Sequence, residues 1–297
     1  MASGDSRRAI TQALAAVKSG DDSTATNLAA QAANQGSPLG ASLAQYLESI
    51  QEEAVYASPA GFEAFIEGGG NVPLYRAVSN ALADLYDRLR PAALLDIGCG
   101  NGRALIPALQ VAQHQPEQLD LVEPSEALLA AAVKRHAETA LSAALRTWPG
   151  TVQAFLETLP AGSHWPMVQS TFAMHTIPHE ERTAVLARLR AHLDVLVVVD
   201  FDVPNHPTGS TNHLSFLAQT YEQGLAEYDA DQELVAQGFL MPVLVGQLRP
   251  GATRVTWEQS KEQWLDQMKV AGYADVEVRP LYNYWSSPAF VLTARAS

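Results

Sequence analysis

Apolar and polar positions change their period several times along the chain, and the clearest pattern covers residues 92–200. Short apolar runs in this region have the length of strands that are buried on both faces. The stretches between them favour helices, since Val152, Phe155 and Leu156 recur at helical spacing. Strands that alternate with helices predict an α/β fold with a parallel sheet covered on both faces. The predicted strands lie at residues 92–97, 119–123, 143–148, 167–172 and 195–200.

The C-terminal part of the chain has a different pattern. A predicted helix at residues 263–269 ends at Gly272, and two strand-forming runs follow at residues 276–282 and 289–294. Only a short link joins these two runs, which favours an antiparallel hairpin over a crossover to a parallel strand. The predicted sheet is therefore seven-stranded and mostly parallel, with a C-terminal antiparallel hairpin.

The first part of the chain is rich in Ala, Ser and Gln and predicts helices. Ile10, Leu14 and Val17 recur at helical spacing, so we expect residues 1–58 to form an α-helical N-terminal appendage. Residues 59–91 combine a predicted lid, hinged at the three glycines 68–70, with the first core helix. Residues 92–297 form the predicted sheet domain, in which the long insertion 201–258 builds a substrate cap.

Composition and charge narrow the classes of partner. The chain has 19 Lys and Arg against 32 Asp and Glu, a formal net charge of −13. An acidic surface repels phosphates and anionic lipids, so we expect a small-molecule substrate and neither nucleic acid nor membrane as partner.

Polar residues interrupt the apolar ones at the N-terminus, and Cys99 is the one cysteine. Both features favour a cytoplasmic protein without a signal peptide. The N-terminal helices could be a packing appendage or the arm of a homodimer.

A glycine-rich motif follows the first predicted strand. Residues 96–102 read Asp-Ile-Gly-Cys-Gly-Asn-Gly, and such a loop lets the backbone turn tightly and approach a ligand. Glu123 ends the second predicted strand, 21 residues after Gly102, where an acidic side chain can bind the two hydroxyls of a ribose. The dinucleotide motif G-x-G-x-x-G would require glycine at position 103, where Arg103 stands. The pattern therefore predicts a ribose-bearing cofactor and disfavours a nicotinamide oxidoreductase.

With this motif the sequence resembles the class I S-adenosylmethionine-dependent methyltransferases. The resemblance covers about residues 71–297 and includes residues 172–178 after the fourth strand and Ala271-Gly272-Tyr273 before the last two strands. It implies a Rossmann-like fold, S-adenosylmethionine (SAM) as the cofactor, and methyl transfer as the activity.

The resemblance also implies roles for individual residues. In the family the first loop and the acidic end of the second strand hold the methionine and ribose parts, and a residue after the third strand meets the adenine. Thr151 stands where the family often has Asp, and a hydroxyl accepts a hydrogen bond less strongly than a carboxylate does. Tyr75 and Phe172 complete the expected cofactor site. The expected cofactor-binding residues are Asp96, Gly98, Gly100, Glu123, Pro124, Thr151, Val152, Phe172 and Tyr75.

His175 is the candidate general base. It follows the fourth strand, at the edge of the sheet where such folds bind their ligands, and its unperturbed pKa near 6.5 suits proton transfer. The alternative is a loop histidine that only shapes the turn before Pro178, and the sequence leaves both interpretations open.

Residues for the methyl acceptor are expected in three places: the lid, the loop after the fifth strand and the hairpin link. The aromatic residues of the link could wall an apolar pocket or pack the hairpin. Irregular spacing makes Asp202, His206, His213 and Glu222 a solvated polar loop rather than a metal site, so no metal is predicted. The candidate substrate-binding residues are Asn71, Asp202, His206, Tyr282, Tyr284 and Trp285.

The sequence thus predicts an enzyme that transfers a methyl group from SAM to O or N of a small, partly aromatic or apolar molecule, in specialised metabolism. The alternative is a SAM-binding protein that uses the cofactor non-reactively, as a cyclase-type enzyme or an accessory partner. Fold alone does not distinguish the two.

Overall fold

A seven-stranded sheet organises one of two compact units in the computed structural model, which describes residues 4–50 and 59–296. In chain order the strands are β1 (Ala93–Ile97), β2 (Gln118–Glu123), β3 (Ala144–Pro149), β4 (Trp165–Thr171), β5 (Leu193–Phe201), β6 (Tyr273–Tyr282) and β7 (Ala289–Ala296). Their spatial order is β3-β2-β1-β4-β5-β7-β6. Strands β1 to β5 are parallel, and β7 runs antiparallel to both of its neighbours, β5 and β6. The predicted α/β class, Rossmann-like sheet and C-terminal hairpin are confirmed.

The described chain also contains α-helices. They are α1 (Gly4–Ser19), α2 (Asp22–Asn34), α3 (Pro38–Ile50), α4 (Pro59–Glu67), α5 (Asn71–Leu89), α6 (Leu105–Val111), α7 (Glu126–Ala137), α8 (Val152–Thr158), α9 (His179–Leu189), α10 (Thr211–Leu225), α11 (Gln232–Val235), α12 (Met241–Gly246) and α13 (Lys261–Val270). A π-helical turn, Ala236–Leu240, joins α11 to α12. Within the described residues, no helix combines the length and apolar character that crossing a membrane requires.

The sheet unit comprises Pro73–Pro204, Val255–Asn283 and the chain from Pro288 onward. Strands β1, β2, β4 and β5 are mostly buried and apolar, as expected where both faces of a sheet are covered. On one face, side chains of β1, β4 and β5 form a single buried cluster with side chains of α8, α9 and α13. Leu95, Val168 and Val198 belong to this cluster, as do the large side chains of Phe155 and Trp264.

The helical unit comprises the described residues up to Val72, the part Asn205–Arg254 of the predicted insertion and the short hairpin link Tyr284–Ser287. Leu14 and Leu43 of the N-terminal helices share one buried core with Leu217 and Leu244 of the insertion. The predicted boundary at residue 58 lies outside the described residues, and the first cut between the units falls inside the predicted segment 59–91. A role of the insertion as substrate cap stays a prediction.

The glycines of the predicted hinge are packed against two side chains of the helical unit. Gly69 has a φ of 48°, and a Cβ there would lie 2.8 Å from the ring of Tyr228. The backbone N–H of Gly70 donates to the Glu227 carboxylate at 2.7 Å. Close packing therefore requires glycine at Gly69, and movement about the three glycines stays a prediction.

Candidate functional site

The loop between β1 and α6 has a backbone that only glycine adopts readily. Gly98, Gly100 and Gly102 all have positive φ angles, of 68°, 53° and 74°. A Cβ at Gly98 would collide with the Cβ of Ala173, whereas a Cβ at Gly100 would meet no atom within 4 Å. The loop is thus tightly packed at its start and leaves open space beside Gly100.

Glu123 fixes this loop to the end of β2. One carboxylate oxygen accepts a hydrogen bond from the N–H of Gly100 at 3.0 Å, and the other accepts from the N–H of Ser125 at 2.9 Å. Pro124 stands between Glu123 and Ser125 in the chain, and the side chain of Ser125 caps α7. The structure therefore brings together Gly100 and Glu123, which the sequence placed in one site.

Asp96 lies beneath the same loop and is 2% exposed. Burial raises the pKa of its carboxyl to about 7, the Gln169 amide opposes this rise, and the charge of Glu123 adds to it. Among the described residues, Oδ1 of Asp96 has no hydrogen-bond partner. Tyr86 of α5 holds Gln169 by donating from its hydroxyl to Oε1 at 2.8 Å. Tyr86 and Gln169 were missed from the sequence, although a glutamine within an apolar strand was a signal.

These features fit the nucleoside and amino-acid parts of SAM. A buried acceptor without a partner suits a donor or a cation, and the open space beside Gly100 admits a ligand close to the backbone. Glu123 offers carboxylate lone pairs beyond the two that the backbone occupies.

Thr151 and Val152 begin α8. Thr151 is the N-cap, and its hydroxyl oxygen accepts a hydrogen bond from the N–H of Ala154 at 3.3 Å. Val152 is 5% exposed and packs in the core of the sheet unit. The adenine role predicted for this pair thus depends on a hydroxyl that already accepts one backbone hydrogen bond.

Phe172 follows β4 with a φ of 52°, an unusual conformation for a bulky side chain. Its ring stacks on Phe201 at 4.5 Å between centroids and 9° between planes. Tyr75 of α5 meets the ring of Phe172 edge-on at 5.9 Å. The structure therefore joins Tyr75 and Phe172, and it adds Phe201, which the sequence did not indicate. Backbone strain of this kind clusters at functional sites.

His175 lies in a short 3₁₀ turn, Met174–Thr176, directly after Phe172 and Ala173. Its Nδ1 is 2.9 Å from Oδ1 of Asp200, which also accepts the N–H of Phe201 at 2.8 Å. The side chains of His175 and Asp200 are 14% and 2% exposed. Asp200 was missed as a functional residue, although it is the polar residue that nearly ends the apolar strand β5.

The electrostatic surroundings favour the charged form of His175. Burial alone would lower the pKa of the imidazole, and the charge of Arg182 acts in the same direction. The charge and hydrogen bond of Asp200, together with the charge of Glu258, outweigh these effects and raise the pKa above 6.5.

Three of the four candidate substrate residues in the helical unit form a chain of contacts, in which Tyr284 contacts both Asn71 and Trp285. Asn71 is 3% exposed, donates to the carbonyl of Phe65 and to the hydroxyl of Tyr228, and accepts from the hydroxyl of Tyr284 at 3.0 Å. The rings of Tyr284 and Trp285 lie 5.3 Å apart. The polar groups of Asn71 are thus largely engaged within the protein.

The remaining candidate residues have separate surroundings. Asp202 accepts the N–H of Lys261 at 2.9 Å and lies 3.3 Å from its ammonium group. Tyr282 ends β6 opposite Ala289, and His206 meets the ring of Phe216 edge-on at 6.0 Å. The described part of the chain contains no group of three His, Cys, Asp or Glu side chains placed to hold a metal ion.

Comparisons with known proteins agree with this geometry. Residues 94–195 match the family model of a methyltransferase domain. No curated protein sequence matches the chain.

Solved structures share the fold at low sequence identity. Magnesium protoporphyrin IX methyltransferase from Synechocystis PCC 6803 with bound S-adenosylhomocysteine is 17% identical, with a TM-score of 0.52 over 80% of this chain and 93% of that one. An O-methyltransferase family protein from Burkholderia thailandensis is 14% identical, with a TM-score of 0.51 over 76% of this chain and 57% of that one. This chain thus spans little more than half of the Burkholderia protein. The family model thus identifies residues 94–195 as a methyltransferase domain, and the solved structures share its fold.

Proposed function

We propose that this methyltransferase modifies a hydroxyl or amine group of a small, partly aromatic or apolar molecule, with His175 as the general base. The observation that carries the proposal is the buried contact between His175 and Asp200 at the carboxyl edge of the sheet. The Burkholderia relative is an O-methyltransferase family protein by name, which favours oxygen as the acceptor atom.

The site residues divide the work between holding the cofactor and moving a proton. SAM supplies a methyl group on a positively charged sulfur. Asp96, Glu123 and the loop around Gly100 would hold it. Most of the rate then comes from alignment of the acceptor with the methyl group, since the leaving group needs no protonation.

His175 acts on the acceptor. Asp200 holds the proton of His175 on Nδ1, which leaves Nε2 as the acceptor of the substrate proton. During methyl transfer, Nε2 would take the proton that the acceptor oxygen or nitrogen releases. The carboxylate of Asp200 then stabilises the imidazolium.

The proposal is tested by His175→Ala. We expect kcat to fall by about 10²–10⁴, the usual contribution of general-base catalysis, with little change in SAM affinity. The wild-type rate should rise with pH through one ionisation above 6.5, because the pKa of His175 is raised. Asp200→Asn should move this rise in the pH–rate profile to lower pH, because it removes the charge that raises the pKa of His175. Methyl transfer to a panel of small phenols, hydroxylated heteroaromatics and aromatic amines supplies the assay.

His164→Ala is the matched control, because His164 forms a similar contact with Asp194 at 3.0 Å, but both side chains are largely exposed. It should leave kcat unchanged. A loss below about tenfold in His175→Ala with the pH limb intact would contradict the base assignment. Retained SAM without methylated product in the wild type would favour the non-reactive alternative.

A further inference from the structure

Arg182 is a fully buried arginine on α9, beside the proposed base. A guanidinium group in such a place needs its donors satisfied. Its Nε donates to Oε1 of Gln267 at 2.9 Å, and its charged centre lies 4.4 Å from the centroid of the Trp264 ring. Both partners belong to α13, so Arg182 is anchored on a second helix.

Two further hydrogen bonds of Arg182 go to the backbone of two other chain segments. Its Nη1 donates to the carbonyl oxygens of Met174 and Trp257, each at 3.1 Å. Met174 directly precedes His175, and Trp257 directly precedes Glu258. The N–H of Trp257 in turn donates to the carbonyl of His175 at 2.6 Å. One nitrogen therefore joins the two chain segments that meet at His175.

We infer that Arg182 is a positioning residue, whose guanidinium fixes the backbone around His175 so that the imidazole keeps its 2.9 Å contact with Asp200. The inference rests on the proposed function for its catalytic consequence. A guanidinium is planar and donates in several fixed directions, whereas the ammonium group of lysine is a point charge. Lysine at this position therefore cannot hold Gln267 and both carbonyls in the same geometry.

The charge of Arg182 argues for this geometric role. It lowers the pKa of His175 and so opposes the effect of Asp200 and Glu258. A positive charge close to a base that becomes positive is unfavourable for proton transfer. The benefit of Arg182 to the base must therefore come from its hydrogen bonds, and a displacement of about 1 Å at a reacting group can cost about 100-fold in rate.

The test compares Arg182→Lys with Tyr273→Phe. Tyr273 is a buried residue whose hydroxyl donates to the carbonyl of Leu186, which like Arg182 lies on α9, at 3.0 Å. Both variants should lower the melting temperature. Only Arg182→Lys should lower kcat, by about tenfold or more, with the KM for SAM within about twofold of the wild type.

A second readout needs no turnover. The imidazole Nδ1–H of His175, assigned in proton NMR spectra by its loss in His175→Ala, should shift or broaden in Arg182→Lys and stay in place in Tyr273→Phe. In the His175→Ala background, Arg182→Lys should lower kcat no further, because its effect passes through the imidazole. If Arg182→Lys does not fold, Gln267→Ala keeps the arginine but removes its anchor, and it should change the signal and kcat in the same direction.

The inference is overturned if Arg182→Lys, measured below its own melting temperature, keeps the wild-type NMR signal of His175 and has a kcat within about twofold of the wild type. If His175→Ala keeps its activity, the base assignment fails instead. The NMR signal in Arg182→Lys then decides the positioning role alone.

Discussion

At the residue scale, three buried carboxylates near the carboxyl ends of β1, β2 and β5 behave differently because their partners differ. The carboxyl group of Asp96 has few hydrogen-bond donors near it and a pKa of about 7, so it is protonated over much of the acidic range. Glu123 accepts two backbone N–H groups, and Asp200 accepts one while it contacts His175. The same chemical group can thus serve a cation, a ribose or an imidazole, according to its neighbours.

Glu123→Gln should weaken SAM binding. A carboxylate forms charge-assisted hydrogen bonds worth roughly 1.5–3 kcal/mol each, so we expect calorimetric affinity to fall by about tenfold or more. Glu126→Gln is the control, since Glu126 is an exposed residue three positions later in α7. Equal affinity in wild type and Glu123→Gln would refute the ribose assignment.

SAM affinity should depend on pH through Asp96. Binding of the cationic cofactor favours the ionised carboxylate, so affinity should decline as pH falls below about 7. Calorimetry in buffers of different ionisation enthalpy should show proton release near pH 7, and Asp96→Asn should abolish it. S-adenosylhomocysteine, which lacks the sulfonium charge, should show a weaker dependence. Identical proton release in Asp96→Asn would assign it to another group.

The same carboxyl makes the stability of the unliganded protein depend on pH. Its pKa is raised in the folded state, from 3.8 to about 7, so folding takes up a proton between these values. The contribution of Asp96 to the free energy of unfolding is therefore largest below pH 4 and is lost as pH rises to about 7. Thermal melts of wild type and Asp96→Asn should diverge across this window, with the variant relatively more stable at higher pH.

At the scale of secondary structure, local patterns predicted the strands but not which strands are neighbours. The buried runs and the loop at Gly98 were found because each has a period or a composition of its own. Asp200 was missed because it meets His175 only through the parallel register of β4 and β5, in which Thr171 lies opposite Val199. The sequence analysis named Asp202 as a substrate-binding candidate instead, and in the structure its carboxylate forms an ion pair with Lys261.

The same limit applies to the predicted hinge and substrate residues. Three glycines in a row indicate backbone freedom, but the packing of Gly69 against Tyr228 depends on residues far along the chain. The contact of Asn71 with Tyr284 likewise joins residues that no local pattern relates. Contacts between distant segments depend on the tertiary fold, which single-sequence periodicity does not contain.

Hydrogen exchange can test whether the glycine segment is a lid. Glu227→Ala removes the acceptor of the Gly70 N–H. We expect hydrogen exchange at Gly70 and Asn71 to accelerate by about tenfold, because the free energy of one charge-assisted hydrogen bond is lost. Asp229→Ala, at an exposed neighbour, should change nothing. In wild type, S-adenosylhomocysteine should slow exchange at residues 68–70 if the segment closes on the cofactor. Equal exchange with and without the ligand would make the glycines a fixed linker.

At the scale of the whole molecule, the helical unit is assembled from three separate stretches of chain. Its core combines Leu14 and Leu43 with Leu217 and Leu244, so neither the N-terminal helices nor the insertion can bury their apolar faces alone. We therefore expect the two stretches to unfold together.

Leu14→Ala tests this coupling. Leu14 is fully buried, and truncation of such a leucine costs about 2–5 kcal/mol in the free energy of unfolding. Hydrogen exchange should accelerate in α10 as well as in α1, because both border the same core. Leu234→Ala, at a side chain that is 43% exposed, should cost far less. Faster exchange confined to α1 would show that the stretches are independent.

The split origin of this core has a consequence for biosynthesis. Helices α1 to α3 leave the ribosome well before α10 to α12, and at about 5–20 residues per second the interval is roughly 10–30 s. During that interval the side chains of Leu14 and Leu43 lack the partners that later bury them. The alanine-rich faces of α1 and α2 limit how much apolar surface the nascent chain exposes while it waits. Larger apolar residues at those alanines would make the growing chain more dependent on chaperones, even where the finished fold could accommodate them.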